Sequence, residues 1–215
     1  MAPLTELEHR VHACILCKEN DLKEVVKYYP IYSFGNPYGK ELLIVGLNPS
    51  TREYEDNYVS SSKNPEKRHN NQMNYFQQGY YGFFTKLEKF FHGEAKTALN
   101  WVKTPWEKVG FTDLTKCPTR NEKGQWTQLK TNQKRRIIAN CQQYLIEQID
   151  IIKPRAILAY GADVCKWFYP GYTQDDAFTT MKNKPIILVP QKQGGYPKQI
   201  IQIVQEQIAK LIVKK

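Results

Sequence analysis

Apolar runs bounded by turn residues alternate along the chain with segments of helical periodicity. Leu42–Gly46 ("LLIVG"), Ala156–Tyr160 ("AILAY") and Ile186–Val189 ("IILV") are short continuous apolar runs and read as buried strands. Residues 110–115 ("GFTDLT") form a weaker strand. Helical patterns fall on residues 82–91, 131–152, 162–169 and 198–213. The one over 131–152 is the firmest: Ile137, Ile138, Cys141, Tyr144, Leu145, Gln148 and Ile152 recur at three- and four-residue spacing, and Lys153-Pro154 ends it. Strands alternating with helices predict an α/β fold with a parallel sheet covered on both faces. Ligands in such folds bind beyond the carboxyl ends of the strands. Asn48, Asp113, Gly161 and Gln191 all stand at or just past such an end.

Two segments fit no regular element. Residues 49–74 are polar ("SSSKNPEKRHNNQ" among them) and read as a long loop, and residues 118–130 form a second polar insertion. No repeat or boundary divides the chain, so its 215 residues are expected to form a single domain.

Composition adds a partner. Lys and Arg number 31 against 21 Asp and Glu, a net charge of +10. A surplus of that size favours a polyanion, nucleic acid before membrane, through phosphate neutralisation. The 14 tyrosines add faces on which bases stack. No apolar run approaches the ~20 residues that span a bilayer, and "MAPLTELEHR" has no apolar signal core. A reducing, cytoplasmic location and a monomer are therefore expected. In that setting the five cysteines are thiols or metal ligands sooner than disulfides. Cys14 and Cys17 form a C-x-x-C pair, while Cys117 and Cys141 are separated by 23 residues. Four thiolates suit a structural zinc or a 4Fe–4S cluster. Cys165, on the apolar face of its helix, reads as a core cysteine.

Four segments in order resemble the uracil-DNA glycosylase superfamily, most closely its iron–sulfur branch. They are "ACILC", "FGNPYGKELLIVGLNPS", "VGFTDLTKCPTRN" and "CQQYLIEQIDIIKPRAILAYGA". The resemblance implies a three-layer α/β/α domain around a four-stranded, mainly parallel central sheet. It also implies a 4Fe–4S cluster on Cys14, Cys17, Cys117 and Cys141. The implied activity is hydrolysis of the N-glycosidic bond of a deaminated or damaged base in DNA, as in base excision repair. Asn48 then positions the attacking water, as in the mismatch-specific branch, whose first motif carries asparagine where iron–sulfur members usually carry a carboxylate. Asp113 reads the flipped base with Gly46 beside it, and Tyr75 or Phe76 stacks on it. Ser50 and Thr51 take phosphates. The loop containing Gln191, Lys192, Gly194 and Gly195 presses the DNA, with Gln191 steadying the leaving base. Two positions depart from the family. Asp113 stands where asparagine usually reads uracil, and "VPQKQGGYP" lacks the usual final histidine. Two other functions fit the same residues: a non-catalytic nucleic-acid-binding homologue, and a hydrolase of free nucleosides or nucleotides, against which the +10 charge counts.

Overall fold

The computed structural model describes residues 3–18, 22–26, 30, 32, 41–49, 87, 89–92, 109–119, 126–190 and 196–213. In chain order its regular elements are α1 (Pro3–His12), β1 (Leu42–Gly46), β2 (Val109–Asp113), α2 (Thr131–Ile152), β3 (Ala156–Tyr160), α3 (Ala162–Phe168), β4 (Phe178–Met181), β5 (Lys184–Val189) and α4 (Lys198–Val213). Short 3-10 turns occupy Lys89–Phe91 and Trp126–Gln128. Contacts gather into two compact units. One comprises Met1–Phe34, Leu47–Gln78 and Thr112–Ile151; the other comprises Gly35–Gly46, Gly79–Phe111 and Ile152–Lys215.

The second unit holds most of a mixed sheet in the order β2-β1-β3-β5-β4. β1 pairs with β3 and β3 with β5 in parallel, with Ile44 opposite Leu158 and Leu158 opposite Ile187. Every residue of β1 and β3 is buried. That explains their unbroken apolar runs, since a parallel strand covered on both faces has no polar side to show. Helices α3 and α4 lie against β3 and β5. Gly161, at a φ of 107°, makes the turn from β3 into α3 and donates its N–H to Val189 O at 2.8 Å. Cys165 is fully buried in α3, as its periodicity predicts.

The sheet has five strands where four are expected. The additional strand, β4, pairs antiparallel with β5 at the edge. Its side chains alternate between exposed and half-buried, so it carries no apolar run. Its hairpin turns on Lys182 and Asn183, at φ 49° and 61°, a two-residue turn made without the usual glycine.

The first unit is built on α1 and α2. α1 buries Leu7 and Val11, one turn apart, and Arg10 grips Glu147 of α2 with both terminal guanidinium nitrogens, at 3.0 and 2.7 Å. At the start of α2 the Gln133 side chain reaches back to the Lys130 N–H at 3.0 Å, one half of a capping box. At its end Lys153 adopts a left-handed φ of 51° before Pro154. Two residues of the polar insertion, Trp126 and Leu129, are buried with Cys17, Leu22, Val25, Val26, Cys117 and Ile137 in one apolar cluster. Of the expected helix over 82–91, Leu87 and the turn at Lys89–Phe91 fall among the described residues.

Candidate active site

β1 delivers the chain into Leu47-Asn48-Pro49, within the first unit. The Leu47 carbonyl accepts two hydrogen bonds from Thr115, from its backbone N–H at 2.9 Å and its hydroxyl at 3.1 Å. Asn48 donates through Nδ2 to Pro49 O at 3.1 Å and to the Thr119 hydroxyl at 3.3 Å. A carbonyl can only accept, so the Pro49 contact fixes which end of the amide is nitrogen. Oδ1 therefore faces the other way, and among the described residues no donor meets it. The side chain is half-buried. An acceptor oxygen held in one orientation, on a loop stitched to the loop after β2, is suited to orienting a water molecule.

Asp113 is the last residue of β2 and is buried. Burial pushes its carboxyl well above the ordinary carboxylate range, and the attraction of Lys116 only partly opposes this. Lys116 is buried too, at 1% exposure. Its ammonium donates to the Thr112 hydroxyl, to Gln148 Oε1 at 3.0 Å and to Tyr32 O at 3.3 Å. All three protons are thereby placed. Thr112 has a single hydroxyl proton facing both Tyr32 O, at 3.0 Å, and Gln148 Oε1, at 2.9 Å, so the lysine supplies what the threonine cannot. Burial lowers the Lys116 ammonium, while Asp113 and then Cys141 draw it back up. The sequence reading passed over Lys116. A single lysine in "TDLTKC" reads as surface, and its only signal is its place between Asp113 and Cys117.

The cysteines converge in the same unit. Cys17, Cys117 and Cys141 are buried and Cys14 is partly so. Burial raises the Cys17 thiol, against a hydrogen bond from Asn140 Nδ2 at 3.3 Å. Burial also raises Cys117 strongly, reinforced by Cys141, Cys17 and Cys14. Cys141 is pushed up to about 12 by burial, against a hydrogen bond from the Lys116 N–H at 3.4 Å and with repulsion from Cys17 and Cys14. Ionisation of Cys117 and of Cys141 is thus opposed by charge on Cys17 and Cys14. Among the described residues no three His, Cys, Asp or Glu side chains are gathered as they would be around a single metal ion.

The profile of the Uracil DNA glycosylase superfamily matches residues 32–205. The chain belongs to the uracil DNA glycosylase superfamily. No curated protein matches it. The superfamily match covers Asn48, Asp113, Cys117 and Cys141 and begins after Cys14 and Cys17, so the cysteine pair lies outside the matched span. In this superfamily member the loop that carries Asn48 is joined, through Leu47 and Thr115, to the loop that follows Asp113 at the end of β2. Gly46 closes β1, buried. Ser50, Thr51, Tyr75, Phe76, Gln191, Lys192, Gly194 and Gly195 lie outside the described residues. Besides Lys116, the sequence reading missed Thr115 and Thr119, the buried threonines that hold the Asn48 loop. Among the described residues no helix is long and apolar enough to cross a membrane.

Proposed function

We propose that the protein is a monofunctional DNA N-glycosylase that hydrolyses the bond between sugar and a deaminated or damaged base, as an early step of base repair. The observation that carries this reading is the fixed amide of Asn48, whose nitrogen is held by Pro49 and Thr119 and whose oxygen meets no donor among the described residues. To reach its target the enzyme takes the nucleotide out of the base stack. The departing base leaves an oxocarbenium-like sugar, which a water attacks. Asn48 Oδ1 accepts a proton of that water in a hydrogen bond and so aims its lone pair at the sugar. An amide orients but is a poor general base, which points to slow chemistry. Asp113 faces the base edge from the end of β2, and its protonation state decides which bases it accepts.

Duplexes carrying one uracil, hypoxanthine or xanthine, treated with protein and then alkali, test the reading. Cleavage at the lesion is expected. Binding without cleavage would favour the non-catalytic homologue, and activity confined to free nucleosides or nucleotides would favour the small-substrate hydrolase.

Cys14, Cys17, Cys117 and Cys141 would hold a 4Fe–4S cluster, and the donor set suits one. Cys17 and Cys141 receive N–H donors, as cluster sulfurs commonly do. Such a cluster would serve as a cross-link between the chain around Cys14, the loop after β2 and α2. Protein purified without oxygen should be brown, with about four iron and four sulfide per chain. Cys141→Ser should lower the iron content and the melting temperature together. Colourless protein with one zinc per chain would reject the cluster and keep a structural metal.

A further inference from the structure

Helix α2 carries its charges in the order its own backbone disfavours. Peptide dipoles leave positive partial charge at a helix N-terminus and negative charge at its C-terminus, so carboxylates suit the first turn and cations the last. In α2 the first turn has no acidic residue and the last has no basic one. Lys134, Arg135 and Arg136 occupy the opening turns with Lys130 just before them, while Glu147 and Asp150 lie towards the far end. From Trp126 to Ile146 the chain carries these four cations and no carboxylate. The first carboxylate reached, Glu147, is already held by Arg10.

The patch has a fixed base. Lys130, Arg135 and Arg136 are exposed, and the Lys134 ammonium rests 5.9 Å from the centre of the Trp126 ring. Trp126 is itself buried beside Cys17, Cys117 and Ile137. Cations and dipole therefore add at one place, against the stability of the helix that bears them. An arrangement that weakens the fold while concentrating positive potential is the kind found where a polyanion docks.

We infer that Lys130, Lys134 and Arg135 form a surface that grips the phosphate backbone of DNA without regard to sequence. This rests on the proposed action on DNA. The test is a titration of a labelled, undamaged duplex across a range of salt, for the parent and for a Lys130→Glu/Arg135→Glu double variant. Each lost phosphate contact lowers the slope of log affinity against log salt by about 0.9. The double variant should therefore lose about two units of slope and bind about ten-fold or more weakly at low salt. The substitutions agree with the helix dipole, so the variant should melt no lower than the parent, which separates lost binding from unfolding. The control, Lys198→Glu/Lys210→Glu on α4, changes net charge equally and should cost less affinity. Unchanged slope and affinity in the α2 variant, or an equal loss in the α4 control, would overturn the inference. A parent that binds no duplex would overturn the DNA reading itself.

Discussion

Asn48→Ala is expected to slow base excision by about two to three orders of magnitude while leaving DNA affinity within a few-fold of the parent. Alanine removes the acceptor that orients the water and leaves the cations on α2 intact. The substitution also removes two hydrogen bonds, to Pro49 and Thr119. The loop keeps its other anchor, the paired contacts from Thr115 to the Leu47 carbonyl. Single-turnover rates and duplex affinities measured on the same preparations distinguish the roles. Loss of rate alone supports the positioning of water. Loss of both in parallel would mean that Asn48 holds the loop together and does nothing further.

Asp113→Asn is expected to improve uracil excision at alkaline pH, where the native carboxyl is ionised, by roughly 5- to 150-fold, the rate equivalent of the mismatch it removes. Uracil offers a donor at N3 and an acceptor at O4. An asparagine amide meets both, whereas an ionised carboxylate offers only acceptors and faces O4 unfavourably, at a cost of ~1–3 kcal/mol. Protonated aspartic acid restores the match, since it presents one O–H donor and one carbonyl. Burial raises the Asp113 carboxyl, so protonation occurs at higher pH than for an exposed aspartate. The sign follows. Uracil excision by the native protein should rise as pH falls through the raised value, and decline as pH climbs above it. An amide at this position does not titrate, so the variant should lack that dependence. Rates for both proteins on one uracil duplex, at mildly acidic and mildly alkaline pH, supply the comparison. Efficient native excision at every pH, abolished by Asp113→Asn, would contradict this account of the position.

The strands that carry the site were legible because burial on both faces leaves its mark directly on composition. "LLIVG" and "AILAY" are the observed β1 and β3 to the residue. The amphipathic period of α2 and its Lys-Pro stop were equally plain. β4 was hidden because an edge strand alternates between degrees of exposure, and its turn uses Lys182-Asn183 in place of a glycine pair. α1 was hidden because charged side chains surround Leu7 and Val11, the apolar residues it buries among those described. Within the site, Asn48 and Asp113 stood out as polar residues at strand ends. Lys116 did not, because nothing local distinguishes a lysine whose three donors are matched by Thr112, Tyr32 and Gln148 from one in solvent. Tyr32 and Gln148 are remote from it in sequence, so only folding assembles that network.

The central claim is that water, oriented by Asn48, releases an intact base from DNA. It is tested most directly by identifying what leaves a lesion-bearing duplex, by chromatography of the small products from native protein and from Asn48→Ala. The account predicts free base, with an abasic site left in an otherwise unbroken strand, and little release by the variant. Release of a nucleoside or nucleotide, or free base at equal rates from both proteins, would contradict it.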